Sequence, residues 1–111
     1  MNKNSTRYFS NKQESCIAKS LGGVKVPNSG ACKFLAGDVR TKQFLIEAKT
    51  VTTHKDSFSI KLKWLLKNKE EAFAMNKPYS ALAFNFGPDE KNYYIIDEKL
   101  FKELVKYIEE D

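Results

Sequence analysis

Histidine and tryptophan occur once each in the 111 residues, cysteine and methionine twice, proline three times. One histidine and two cysteines without CxxC spacing are too few ligands for a structural zinc centre. Cys16 and Cys32 read as a free, reduced pair, with an adventitious bridge as the alternative. No apolar run approaches the ~20 residues of a membrane helix, and the polar N-terminus carries no signal-peptide pattern. The expectation is a cytoplasmic protein with no membrane partner, the nucleoid or a phage-infected cell included. Low-complexity tracts, internal repeats and linkers are also missing, so residues 1–111 are read as one domain with a loose polar arm over 1–8.

Acids are scarce in one part of the chain. Residues 1–69 hold fourteen Lys or Arg against four acids, whereas residues 70–111 hold five against ten, for a total net charge of +5. A basic first two-thirds points to a polyanionic partner, most simply nucleic acid, although lysine-rich surfaces are common. The four acids of the basic part are Glu14, Asp38, Glu47 and Asp56. Against such a background each is a candidate for a specific task.

What is present is enough for a folded core: 41% of residues are hydrophobic and 13% aromatic. The segment SNKQESCIAKSLGG reads as a helix, with Ser10 and Gln13 as a capping box and Gly22-Gly23 as its stop. Val24–Val26 is a short strand before Pro27. Leu35–Arg40 and Gln43–Val51 read as a hairpin turning near Thr41-Lys42. A long helix is expected from about Ser57 to Asn76, capped by Asp56 or Ser57. Its broad apolar face would hold Phe58, Leu62, Leu65, Leu66, Ala72 and Phe73, with Lys69 inside it. Ile60, Trp64 and Met75 would form a second stripe, facing a partner subunit or the monomer's interior. YSALAFNF is apolar enough for a central strand covered on both faces, and YYIID for the next. Asp97 should cap a last helix with Leu100, Phe101, Leu104, Val105 and Ile108 inward. The order α, three strands, α, two strands, α is a mixed α/β sandwich.

The charged hairpin carries the chemistry. Residues two apart in a strand point the same way, so Leu45, Glu47 and Lys49 share one face and Phe44, Ile46 and Ala48 the other. If Asp38 faces the same cleft from the paired strand, two carboxylates converge. Their repulsion favours a cation between them, and Mg²⁺ takes one or two carboxylates while recruiting phosphate oxygens. That arrangement suits metal-assisted phosphodiester hydrolysis, with Lys49 placed to position water or to stabilise the transition state. Glu14 would complete the cation's shell. Each residue also has an ordinary reading. Glu47 with Lys49 is then a surface ion pair, Asp38 starts a turn, and Glu14 faces solvent on its helix. His54 reads as a solvated loop residue, and Lys61, Lys63 and Lys67 as a solvated helix face, the alternative being that Lys63 and Lys67, on one side, grip phosphates.

Glu14, the NSGA loop at Asn28–Ala31, GDV with Asp38, and FLIEAK with Glu47 and Lys49 together resemble the PD-(D/E)XK nuclease superfamily. Within it they are most similar to archaeal-type and phage-type Holliday junction resolvases, over about residues 10–86. The resemblance implies a restriction-endonuclease-like αβββαβ core, a mixed sheet flanked by helices, with an added C-terminal helix here. It implies Mg²⁺ dependence, with Mn²⁺ as a substitute, and a homodimer acting on four-way DNA junctions. Asp38, Glu47 and the Ala48 carbonyl would bind metal, with Glu14 as auxiliary acid and Lys49 as catalytic lysine. Ser29 would contact phosphate, or else only shape the Gly30 turn. Lys33, Arg40, Lys61, Lys63 and Lys67 are the further DNA-contact candidates. One position departs from the pattern: Gly37 stands where a proline is expected before the motif aspartate. Other substrates of the same chemistry (nicked or repair intermediates) and a non-catalytic DNA-binding module are the alternatives.

Overall fold

The computed structural model describes residues 6–27 and 37–110. Helix α1 spans Thr6–Leu21, followed by β1 (Val24–Lys25), β2 (Val39–Arg40) and β3 (Phe44–Lys49). Then come α2 (Leu62–Ala74), β4 (Tyr79–Phe84), β5 (Tyr93–Ile95) and α3 (Glu98–Glu109). The five strands form one sheet in chain order, with β3 and β4 parallel and the other pairs antiparallel. A parallel pair needs a crossover, which α2 supplies. The element order and the mixed α/β class agree with the expectation from sequence.

Strand alternation sorts the core into two layers. Ile46 packs with Ile17 and Ala18 of α1, together with Val39, Ala81 and Ala83, and partly buried Phe44 and Ala48 lie against that cluster. Leu45 packs on the other face with Val26 and Ala72 of α2. In β4, Ala81, Leu82 and Ala83 are all buried, as a strand covered on both faces requires. Asp97 caps α3 as expected, its side chain accepting from the Leu100 N–H at 2.9 Å.

Several expectations are corrected. Helix α1 begins at Thr6, so the loose arm does not extend through residue 8, and Ser10 lies inside the helix rather than at its cap. Gln13 is instead 5% exposed, and its Nε2 donates to the Lys49 carbonyl at 2.9 Å and to Asn92 Oδ1 at 3.2 Å. That helix-to-strand bond satisfies the backbone carbonyl where β3 ends. Helix α2 starts at Leu62, not Ser57, and its N-cap Lys61 makes no side-chain cap bond. Phe58 precedes the helix and packs on Phe84, ring centroids 5.2 Å apart.

The face of α2 that meets the sheet is also rotated. Asn68 and Ala72 are buried, whereas Leu62, Leu66 and Phe73 are exposed. The reason is polar: Asn68 Nδ2 donates to the carbonyls of Ala81 at 3.0 Å and Leu45 at 3.4 Å. The expected second stripe dissolves, since Ile60 precedes α2 and Met75, at its C-cap, packs against the inner cluster. Lys69, expected on the apolar face, reaches outward to Asp97 Oδ2 at 3.5 Å. On α3 only Leu100 is buried; Phe101, Leu104 and Ile108 lie outside rather than inward. No described helix is long and apolar enough to cross a membrane.

Candidate active site

The site forms where β3 leaves the sheet. Its hairpin partner β2 pairs Val39 with Ile46 and Arg40 with Leu45, and the Asp38 N–H donates to the Ile46 carbonyl at 2.9 Å. One step further along β3, the Ala48 N–H is taken by a side chain: Asp38 Oδ2 accepts it at 2.7 Å. The carboxylate therefore sits at the edge of β3 beside Glu47. Gly37 makes this turn, at φ +75°, in the left-handed region. An added Cβ there would lie 2.6 Å from Leu45 Cδ1. Proline, locked near φ −65°, cannot adopt that conformation, which gives the glycine before the aspartate a physical reason.

Glu47 and Lys49 project together toward α2, as alternation predicts, and form an ion pair of 3.5 Å. Their side chains are 26% and 27% exposed, so the pair is half-buried rather than a free surface bridge. They line a cavity of about 390 Å³ with Lys63, Trp64, Lys67 and Glu71 of α2. Lys49 Nζ stands 4.3 Å from the centroid of the Trp64 ring.

The carboxylates are under electrostatic load. Burial pushes Glu14 up to about 7, with further upward pressure from Asp38 and Glu47 and relief from Lys25. Burial likewise raises Asp38, against the Ala48 N–H and Lys49, which favour its charged form. Glu47 is raised by burial first and by Asp38 next, Lys49 opposing and Glu71 adding to the rise. Three acids from α1, the β2 turn and β3 thus share one charged neighbourhood, the condition a cation relieves. Among the described residues no three His, Cys, Asp or Glu side chains enclose an ion by themselves. The donor set fits Mg²⁺ none the less, because that ion keeps several waters and needs only one or two carboxylates. Asp38 and Glu47 are the pair that would hold it, with Glu14 as an auxiliary acid that feels both charges.

Other sequence candidates divide. Lys63 and Lys67 line the cavity, and Lys61 Nζ is 5.6 Å from the Trp64 centroid. Arg40 is exposed on β2 but is not part of that cavity. Ser29, Lys33 and Cys32 lie outside the described residues; Cys16 is free and exposed. His54 is away from the cavity: Nδ1 meets Glu90 Oε2 at 2.7 Å and Nε2 meets Asp56 Oδ1 at 3.2 Å. Glu71, Trp64 and Gln13 are the residues that sequence reasoning missed at this site. Spacing offered a partial signal for two of them, since Trp64, Asn68, Glu71 and Met75 recur at helical intervals on one side of α2. Gln13 carried none, because its partner is a backbone carbonyl 36 residues away.

The molecule defined by these observations is an α/β protein whose central mixed sheet opens a charged cavity at one strand end. Comparison of the chain with protein-family models, with curated proteins and with solved structures finds no match.

Proposed function

We propose that the protein is a Mg²⁺-dependent DNA endonuclease of the PD-(D/E)XK type, with a restriction-endonuclease-like core, acting on four-way junctions or other branched DNA. One observation carries the reading: Glu47 and Lys49 line a lysine-walled cavity, and Asp38, bonded to the Ala48 N–H between them, acts electrostatically on Glu47 and is acted on by Lys49. A bound Mg²⁺ would supply Lewis-acid stabilisation of the phosphate charge and lower the pKa of a coordinated water. Lys49 donates to the phosphate oxygens or to the attacking water. Lys63 and Lys67 hold neighbouring phosphates, so affinity is salt-dependent and indifferent to base sequence. Water adds to phosphorus, one P–O ester bond breaks, and a proton passes to the leaving oxygen.

The proposed partner besides DNA is a second copy of the chain. Helix α3 leaves Phe101, Leu104 and Ile108 outside at 58%, 41% and 76% exposure. Lys102 and Glu109, seven residues apart, border that stripe on the same side, within about 20° of each other on the helical wheel. Antiparallel docking of two α3 helices sets each Lys102 against the other copy's Glu109, whereas parallel docking opposes like charges.

The test is cleavage of a labelled four-way junction and of a linear duplex of the same sequence, with Mg²⁺. Preferential junction cutting that is lost in Glu47→Ala supports the proposal. Equal cutting of both substrates replaces the junction assignment with a general nuclease. Binding without cutting under any divalent metal makes the protein a non-catalytic DNA-binding module.

A further inference from the structure

We propose that Trp64 is the positioning residue for Lys49, an inference that rests on the nuclease reading of the site. The Lys49 ammonium is poised between two attractions. Its 3.5 Å separation from Glu47 Oε2 is longer than a tight charge-assisted hydrogen bond, and it lies 4.3 Å from the Trp64 centroid, well within cation–π range. The ring face attracts the charge without consuming its N–H donors as a carboxylate would. An ammonium has three donors, and Glu47 engages at most one of them here. The others stay available to a phosphate oxygen or to water in the cavity.

The ring's own place is fixed by the helix. Trp64 lies one turn before Asn68 on the same side of α2. Asn68 ties that helix to β3 and β4 through the carbonyls of Leu45 and Ala81. Lys49 is four residues beyond Leu45 on β3, so the Asn68 bonds and the packing of Ala72 on Leu45 together set the height of the indole over the ammonium. A structure in which Trp64 merely filled space would not need the charge above its face.

Two readouts separate the parts of this proposal. The first needs no activity: in the full chain, the Lys49 side-chain methylene resonances (assigned with Lys49→Ala) should lie upfield of those of other lysines. Trp64→Ala should abolish that shift and Trp64→Phe should keep part of it; normal Lys49 shifts in the wild type overturn the contact. The second is kinetic. Trp64→Ala should lower kcat on the cleaved DNA about tenfold with KM within about twofold, and Trp64→Phe should recover most of the loss. Equal losses in both variants, or a change in KM alone, overturn the positioning role. An uncut substrate with wild-type protein refutes the nuclease reading and the catalytic consequence with it. The resonance shifts still decide whether the ring holds Lys49.

Discussion

Helices α2 and α3 are close in length and both look amphipathic on a wheel, and both leave much of their apolar stripe outside, yet only α2 is tied to the sheet by a buried polar side chain. Helix α2 turns Asn68 and Ala72 to the sheet and leaves Leu62, Leu66 and Phe73 outside. Its polar stripe supplies one wall of the charged cavity. Helix α3 buries Leu100 alone and presents its apolar stripe outward. Periodicity therefore says which residues share a face, but not which face the core accepts. A buried amide bonded to two strand carbonyls can outcompete leucines for contact with the sheet, because strand carbonyls accept further bonds that an apolar side chain cannot offer.

The comparison can be broken first at the α2 cavity. Glu47→Ala should reduce junction cleavage by about a thousandfold or more while leaving DNA binding at low salt within a few-fold, measured by single-turnover kinetics and gel shift. The frame that presents Asp38 is the next target. Gly37→Ala should cost about 2–3 kcal/mol in urea unfolding, since φ +75° and the 2.6 Å approach to Leu45 both oppose a Cβ. Unchanged stability would mean that the Asp38 turn has another conformation.

On α3, Ile108→Lys should shift sedimentation toward the monomer without lowering monomer stability by more than about 0.5 kcal/mol, as expected for an exposed position. A monomeric wild type at working concentration refutes the second-copy assignment. The burial of Glu14 beside Asp38 predicts a smaller effect with a definite sign. Glu14 rises from 4.5 in the unfolded chain to about 7 in the fold, so the native state holds the extra proton between those values. Stability should therefore fall as pH climbs through that window, and stay reduced above it. In metal-free protein at pH 8, Glu14→Gln should stabilise by about 1–2 kcal/mol, allowing for solvent screening, and by little below pH 4.5. Equal effects at both pH values contradict the assignment.

The smallest expected effect lies outside both helices. The Glu90 carboxylate, and Asp56 after it, raise the His54 pKa above its usual 6.5. Any support that this contact lends to the link between the loop after β3 and the turn after β4 is present below 6.5 and lost as pH rises through the folded value. An NMR titration of His54 should show the raised midpoint, and Glu90→Gln should bring it down.

Much of this was legible in the chain. Alternation in FLIEAK placed Glu47 and Lys49 on one face and Ile46 and Ala48 on the other, and the structure has that division. Asp97 declared its cap, and the apolar run of β4 declared a strand covered on both sides. These features are local: a period of two and a side chain reaching three residues on need no distant partner. Tertiary structure alone decided that Gln13 clamps the end of β3, that Asn68 chooses the inner face of α2, and that Trp64 stands over Lys49. Each of these depends on a partner between 13 and 36 residues away, and no local spacing encodes which distant carbonyl or ammonium the folded chain will bring within reach.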